Sequence, residues 1–349
     1  MRILILGGTE FVGRHIAEAA AAGGHVVTLF NRGSHPEVLP ELERVIGDRD
    51  ANGDAGLQRL AGRSFDAVID VSGYLPRVVR DSARLLRDAV HFYLFISTIS
   101  VYERSDLPGR TESAPLAELA DPTTETIDAT TYGALKVACE REVLGQYGPD
   151  RAVIVRPGVV VGPYDPTDRF TYWVRRVARG GELLAPGAPD AVMQWIDGRD
   201  LAAFAVSLLE RGVSGTFNAV IPPATVTMGK LLAEVERAAT AAAGAPAEPR
   251  DGQGGRSREP SRPTWVDESF IEEQQVRPFA DLPMWLPRAN DSLLRVSPAA
   301  AQAAGLSYRS LQQTVRGVLA WDSSRGHEPL KAGLTEERER SLLAAWHGR

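Results

Sequence analysis

The sequence predicts an α/β fold in which a doubly wound parallel sheet is followed by a smaller C-terminal α/β lobe. Short apolar runs of strand length alternate with helical stretches through the first half of the 349-residue chain. These runs are apolar throughout, as strands buried on both faces should be, and their alternation with helices is typical of repeated βαβ units. After Pro157 the pattern changes, because all six Trp residues lie beyond residue 170 and Pro and Gly interrupt the sequence more often.

The predicted elements follow one another as strand 3–6, helix 12–22, strand 26–30, strand 67–71, helix 77–89, strand 93–97 and strand 153–156. We expect residues 1–162 to form the first domain, with 196–220 returning to it, and 163–195 with 221–349 to form the second lobe. Residues 244–262 are rich in Gly, Pro and charge, which predicts a flexible loop. Thr335 is expected to cap a helix that buries Leu342, Leu343 and Trp346 on the second lobe.

Composition limits the classes of function. The net charge of −6 gives no general attraction to phosphate backbones, so we expect no nucleic-acid partner. A single cysteine, Cys139, cannot form an internal disulfide and is expected to be a small buried hydrophobe, as in a protein of the reducing cytoplasm. The first strand runs directly into a glycine turn, which leaves no room for a signal peptide, and no apolar run reaches the roughly 18 to 20 residues of a membrane helix. The six His show no metal-ligand spacing, so no metal site is expected.

The clearest motif is glycine-rich and lies between the first strand and the first helix. Gly7 permits a tight turn, Gly13 allows helix and strand to approach, and the helix N-terminus offers N–H groups to a pyrophosphate. This context predicts a Rossmann-type dinucleotide site, although a purely structural turn is the alternative. The residues expected to line the site are Gly7, Thr9, Glu10, Phe11, Val12 and Gly13.

The end of the second predicted strand bears on the choice of cofactor. An NAD site commonly places a carboxylate there, whereas this chain has Asn31 and Arg32. Arg32 can pair with a 2′-phosphate, so NADP is favoured over NAD, and the alternative is a solvated surface charge. Asp48 follows another apolar stretch and is expected beside the adenine, unless it only forms a turn.

Tyr132 and Lys136 are four residues apart on a predicted helix and therefore share one face. A free phenol has a pKa of about 10, so proton transfer near neutrality requires a nearby positive charge, which Lys136 and an oxidised nicotinamide would supply. The plain alternative is a packed aromatic with a solvated neighbour. Thr98 lies at the carboxyl end of strand 93–97, where ligands bind in such sheets, and can donate a hydrogen bond to a substrate oxygen.

Taken in order, these motifs resemble the extended short-chain dehydrogenase/reductase family of NAD(P)-dependent epimerases, dehydratases and reductases. The resemblance rests on residues 7–13, 97–102, 132–136, 156–163 and 196–202. It implies that Tyr132 is the proton donor or acceptor, that Lys136 is its electrostatic partner and a ribose ligand, and that Thr98 is the third catalytic hydroxyl. It also implies cofactor contacts at Ser72 and Pro157, and a possible homodimer.

Two departures from the family pattern narrow the expected function. Glu10 replaces the middle glycine, so its side chain must point away from the cofactor; this variant resembles an atypical branch whose members include plastid RNA-binding proteins. Dehydratases carry Asp-Glu after the catalytic Thr, whereas this chain has Ile99 and Ser100. We therefore expect a carbonyl reductase or an epimerase, and the alternative is a non-catalytic nucleotide sensor or an RNA-binding relative.

The substrate is expected to be a small molecule, either a sugar nucleotide or a secondary metabolite. Ordinary packing explains each candidate contact equally well. The candidates are Tyr74, Ser97, Tyr164, Arg169 and Trp195, with Gln194 and Trp285 beside them.

Overall fold

A computed structural model describes residues 1–51, 56–104, 107–243, 258–326 and 328–349. The first part of the chain contains β1 (Arg2–Leu6), α1 (Phe11–Ala22), β2 (Val26–Asn31), β3 (Glu43–Ile46), β4 (Ala67–Asp70), α2 (Pro76–Leu86), β5 (Phe92–Ile96), α3 (Tyr132–Arg151), β6 (Ala152–Pro157) and β7 (Val159–Val161). The remainder contains α4 (Arg169–Arg179), β8 (Gly181–Pro186), β9 (Val192–Met193), β10 (Trp195–Asp197), α5 (Gly198–Glu210), β11 (Gly215–Ala219), β12 (Val226–Thr227), α6 (Met228–Ala243), β13 (Ser261–Val266), α7 (Glu268–Glu273), α8 (Ala299–Ala303), α9 (Leu311–Ser324) and α10 (Glu336–His347). Within these ranges, short 3-10 helices span Leu57–Leu60, Ile99–Val101 and Arg288–Leu294.

Seven strands form one parallel sheet in the order β11-β6-β5-β4-β1-β2-β3. Leu6 pairs with both Phe30 and Asp70, so β1, β2 and β4 end at the same edge. The strand order reverses direction at β1, and ligands of such sheets bind in the crevice at this point. The predicted doubly wound, Rossmann-type sheet is confirmed.

Side chains of β1 alternate between two cores. Ile3 and Ile5 belong to one cluster, which includes Ile16 of α1 and Leu201 of α5. Leu4 and Leu6 belong to another, which includes residues of α2 and α3. Helices therefore cover both faces of the sheet, which explains why its strands are apolar throughout.

The chain divides into two compact units. The first unit contains residues 1–160, 195–221 and 296–308, and the second contains 161–194, 222–295 and 309–349. Residues 296–308 were expected in the second lobe, but Ala301 and Leu306 are buried in the core of the first unit, because they pack with the cluster around α1 and α5. None of the helices in the described ranges is both long and apolar enough to cross a membrane.

In the second unit, β8 pairs in parallel with β13, and β9 pairs antiparallel with β12. Of the segment predicted as a flexible loop, 244–257 lie outside the described residues, whereas Ser261 and Arg262 begin β13. This part of the prediction is corrected, because Ser261 is tied by its backbone and hydroxyl to Glu236. Thr335 caps α10 as expected, by accepting from the Arg338 N–H.

Candidate active site

The turn between β1 and α1 is built on glycine. Gly7 has a φ of +112°, and a Cβ on this residue would lie 2.6 Å from Cγ2 of Val71. A Cβ on Gly13 would lie 2.8 Å from the backbone nitrogen of Gly8, so only glycine lets α1 pack this closely on the turn. The turn and the N-terminus of α1 together form an arrangement that suits a pyrophosphate. The other predicted residues of this turn and helix start are half-buried, namely Thr9, Phe11 and Val12.

The Glu10 side chain points outward. It is 73% exposed, and its Oε1 lies 3.4 Å from Nε2 of His35. Glu10 occupies the N-cap position of α1, yet its carboxylate does not bond to the helix N-terminus. The charge that replaces the family's middle glycine therefore leaves the first turn open to an anion.

The adenosine end of the expected cofactor site is an open cleft of about 330 Å³, lined by Arg32, Ile46, Gly47, Asp48 and Arg59. Arg59 comes from the 3-10 helix Leu57–Leu60 and was not found by sequence reasoning, because nothing in the sequence places that helix beside Arg32. Two arginines thus line the cleft in which a 2′-phosphate is expected. The Asn31 side chain is already used in the turn, because its Nδ2 donates to Gly7 O at 3.2 Å and its Oδ1 accepts from Gly33 N.

Tyr132 is the first residue of α3, and this helix start lies against the turn after β5. A Cβ on Gly133 would lie only 2.0 Å from the carbonyl oxygen of Ser100, so a larger residue would push the two apart. Thr98 caps that turn, since its Oγ1 accepts from Ser100 N at 3.2 Å and donates to Ser100 Oγ at 3.3 Å. Gly133 therefore brings the Tyr132 and Thr98 segments together.

Lys136 is buried, with 3% of its surface exposed. Its Nζ donates to Gly73 O at 2.8 Å and to Ile96 O at 2.7 Å, and it lies 4.1 Å from the ring centre of Phe95 and 5.5 Å from that of Tyr74. Burial lowers the pKa of the Lys136 ammonium to about 8, although neighbouring negative charges oppose this. Two of its three N–H groups therefore bind backbone carbonyls of the protein. These two bonds were not part of the prediction that Lys136 is a ribose ligand.

Asp70 is fully buried at the end of β4 and forms an ion pair with Arg49. Its oxygens accept from Arg49 at 2.6 and 2.8 Å, from the Tyr93 hydroxyl at 2.8 Å and from the Ser72 N–H at 3.1 Å. Burial alone would raise the pKa of Asp70, but Arg49 outweighs it and the pKa is lowered. The Ser72 hydroxyl, a predicted cofactor contact, is used here, because it donates to Leu6 O and accepts from Arg49.

A second buried ion pair joins α3 to β6. Arg156 of β6 donates to Glu140 of α3 at 2.9 and 2.6 Å. The Ser97 hydroxyl also donates to Glu140, and Arg156 donates to the Tyr102 hydroxyl at 3.1 Å. Ser97 is 4% exposed, so the structure ties this predicted substrate contact into the protein interior.

The remaining predicted residues are dispersed. Tyr74 is 47% exposed, Pro157 is buried at the end of β6, and Trp195 is buried in β10, with 3% of its surface exposed. In the second unit, Tyr164 stacks edge-on with Trp321 at 6.0 Å, and the Arg169 guanidinium lies 5.4 Å from the ring centre of Phe279. Gln194 and Trp285 are also buried. Cys139 is fully buried as predicted, and burial raises the pKa of its thiol to about 12.

Sequence reasoning did not assign a role to Arg49, Asp70 or Glu140. Two signals were available: a carboxylate ends the apolar run of β4, and Glu140 is four residues beyond Lys136, on the same helix face. A charge in an otherwise apolar strand requires a buried partner, but the strand order decides which partner it finds.

Two curated proteins have similar sequences. The 41 kDa chloroplast stem-loop binding protein b of Arabidopsis thaliana is 26% identical over 224 residues, which cover 60% of this chain and 55% of that protein. The 2′-dehydrokanamycin reductase of Streptomyces kanamyceticus is 30% identical over 162 residues, or 46% of this chain and 43% of that enzyme. The chain thus spans about half the length of each of these relatives.

Solved structures share the fold along almost the whole chain. The UDP-glucuronic acid 4-epimerase of Bacillus cereus, solved with NAD, has a TM-score of 0.62 at 16% identity and covers 95% of this chain and 99% of its own. The human epimerase family protein SDR39U1, solved with NADPH, has a TM-score of 0.57 at 20% identity and covers 92% and 99%.

The family model for the NAD dependent epimerase/dehydratase family matches residues 3–220, from β1 to the residue after β11. This range includes the glycine turn, the Thr98 segment and the Tyr132 to Lys136 pair. The chain therefore belongs to the NAD dependent epimerase/dehydratase family, as its resemblance to the extended short-chain dehydrogenases/reductases predicted.

Proposed function

We propose that the chain is an NADP-preferring carbonyl reductase acting on a small-molecule ketone, with Tyr132 as the general acid. The observation that carries the proposal is the packing of the Tyr132 helix start on the Thr98 turn, with the buried Lys136 ammonium one helical turn further on. A phenol, a hydroxyl and a cation at the end of one sheet are the groups that proton transfer to a carbonyl oxygen requires.

The residues present fit a nicotinamide dinucleotide. At Gly7 and Gly13 the turn has no space for a side chain, and the Glu10 carboxylate is turned away from the helix start. Arg32 and Arg59 line the cleft suited to a 2′-phosphate, which supports NADP over NAD. The bound nicotinamide supplies the hydride.

The chain's own residues handle the oxygen. Thr98 donates a hydrogen bond to the substrate carbonyl, and Tyr132 gives its proton to the same oxygen as the carbonyl carbon is reduced. Lys136 stabilises the phenolate that Tyr132 becomes, because an opposite charge nearby favours the ionised form. A Lys136 pKa of about 8 leaves the ammonium mostly charged at neutral pH.

Epimerisation uses the same proton and hydride transfers, so it is the second candidate. Reduction ranks first because a curated relative at 30% identity is named a reductase, whereas the NAD-bound Bacillus epimerase is only 16% identical. The name of the Arabidopsis relative favours RNA binding, but the net charge of −6 on this chain argues against it.

The experiment combines binding with turnover. NADPH and NADH are titrated by fluorescence, and NADPH oxidation is followed with 2′-dehydrokanamycin, 9,10-phenanthrenequinone and UDP-4-keto sugars. We expect Tyr132→Phe to bind NADPH like wild type but to lose about 100-fold or more in kcat. Tyr147→Phe is the matched control, because it removes a buried hydroxyl from the same helix.

Arg32→Ala is expected to weaken NADPH binding about tenfold and to leave NADH binding unchanged. Equal or tighter binding of NADH by wild type would overturn the NADP assignment. An RNA stem-loop that binds with micromolar affinity, together with no NADPH oxidation for any ketone, would favour the RNA-binding alternative.

A further inference from the structure

The Lys136 ammonium is held by two carbonyl oxygens that do not belong to its own helix. Gly73 O lies in the loop after β4, and Ile96 O ends β5. The position of Nζ relative to the Thr98 turn therefore depends on how these two strand ends are fixed. Backbone hydrogen bonds hold the first residue past each strand, from Ser97 N to Val155 O and from Val71 N to Leu6 O, and side chains add further contacts there.

Each strand end is fixed by a buried ion pair. After β5, Ser97 follows Ile96 directly, and its hydroxyl bonds to Glu140, which Arg156 holds with two hydrogen bonds. After β4, Ser72 precedes Gly73, and Asp70 and Arg49 bind the Ser72 backbone and hydroxyl. Both ion pairs are almost completely shielded from water.

We propose that the ion pairs Arg49–Asp70 and Arg156–Glu140 are positioning residues for Lys136: each holds the strand end whose carbonyl binds Nζ. The inference rests on the proposed role of Lys136 in proton transfer. It goes beyond that role because it assigns four residues outside the Tyr-Lys pair and the glycine turn to the working of the site.

The same ion pairs set the charge around Lys136. Burial disfavours the ammonium, while the carboxylates of Asp70 and Glu140 favour it and the Arg49 guanidinium opposes it. Removing either carboxylate charge leaves the ammonium less compensated, so it should lose its proton at lower pH. The groups that face or adjoin Nζ are Asp70 from β4, Arg49 from the loop after β3, Tyr74 from the loop after β4, Phe95 from β5, and Cys139 and Glu140 from α3.

The first test needs no substrate. Unfolding free energy is measured from pH 5.5 to 10.5 for Glu140→Gln with and without Lys136→Met, and the difference isolates the titration of Lys136. We expect this titration to lie about one pH unit lower than in wild type. Glu339→Gln is the matched control, because Glu339 is an equally buried carboxylate, paired with Arg176 in the second unit. Coincident Lys136 titrations in the Glu140 and Glu339 variants would overturn the proposal.

Asp70→Asn gives the same test from the other strand end, should Glu140→Gln not fold.

A milder pair of variants then tests the positioning of Lys136 by kinetics. Tyr93→Phe removes a hydroxyl bonded to Asp70, whereas Tyr147→Phe removes one that has no hydrogen-bond partner among the described residues, on a ring centred 5.1 Å away. We expect Tyr93→Phe to lower kcat about threefold to tenfold at nearly constant KM, and Tyr147→Phe to leave both unchanged.

The two readouts separate this inference from the proposed function. Suppose that no ketone supports NADPH oxidation by wild type, but Glu140→Gln moves the Lys136 titration. The positioning proposal then stands and the reductase proposal fails. If turnover is present but Tyr93→Phe and Tyr147→Phe behave alike, and the Lys136 titration does not move, the positioning proposal is refuted.

Discussion

Lys136→Met should change how stability depends on pH, by an amount that follows from the structure. Burial lowers the pKa of Lys136 from its ordinary 10.5 to about 8. Each tenfold change in a protonation equilibrium is worth about 1.4 kcal/mol, so this displacement corresponds to about 3 kcal/mol of unfolding free energy. The ammonium is almost wholly buried, so solvent screening reduces this value little.

The sign follows from proton uptake. Between pH 8 and 10.5 the folded protein has released the Lys136 proton, whereas the unfolded chain still holds it. Burying the charged Lys136 lowers the unfolding free energy, and this penalty is absent above pH 10.5, where Lys136 is neutral in both states. The unfolding free energy therefore falls as the pH is lowered from 10.5 through about 8. Wild type should gain stability relative to Lys136→Met as the pH rises across this range.

The assay is urea unfolding of both proteins at half-unit steps from pH 7 to 10.5. Other groups titrate in both proteins and cancel in the difference, whereas the two hydrogen bonds that Met cannot make add an offset, so the change of the difference with pH is what is read. Lys230→Met is the control, because the Lys230 side chain lies on the exposed surface of α6. Parallel stability curves for wild type and Lys136→Met would refute the burial argument.

Three further predictions concern other parts of the first unit. Gly13→Ala should lose NADPH-induced thermal stabilisation and lower the unfolding free energy by about 1 to 3 kcal/mol, because its Cβ would meet the backbone of Gly8. Gly145→Ala, on α3 in open space, should instead raise the unfolding free energy by up to about 1 kcal/mol. Asp128→Ala should lower the urea midpoint and lower kcat, because Asp128 binds the N–H groups just before α3. Asp121→Ala breaks a like turn elsewhere in the loop and should leave kcat unchanged. Cys139 should react with a thiol reagent only in urea, since burial raises the pKa of its thiol to about 12; rapid labelling of the native protein would contradict this.

The first βαβ unit could be predicted because local patterns determine it. The predicted strands 3–6 and 26–30 differ by one residue from β1 and β2, since an apolar run and a glycine turn fix both ends. The position of Tyr132 and Lys136 on one helix was equally accessible, because a spacing of four residues places side chains on one face of a helix.

The surroundings of Lys136 could not be predicted, because they depend on strand order. Arg49 is 21 residues from Asp70, and Glu140 is 16 residues from Arg156. Arg49 follows β3, which lies three strands from β4 in the sheet, and Glu140 lies on α3, which joins β5 to the neighbouring β6. Periodicity does not reveal this strand order. For the same reason, the return of residues 296–308 to the first unit left no sign in the local sequence.

Stability alone does not account for two buried ion pairs beside one ammonium. Replacing such a pair by apolar residues of similar volume is often neutral, or stabilising by about 1 to 4 kcal/mol. The Arg176–Glu339 pair shows what a buried pair does elsewhere in the chain, because Glu339 of α10 accepts from Arg176 of α4 and from Leu184 N of β8 and so clamps three elements. Around Lys136 the clamped elements are the strand ends whose carbonyls bind Nζ. Buried ion pairs therefore join elements within each of the two units. On our proposal, the two pairs beside Lys136 also position a group that takes up and releases a proton.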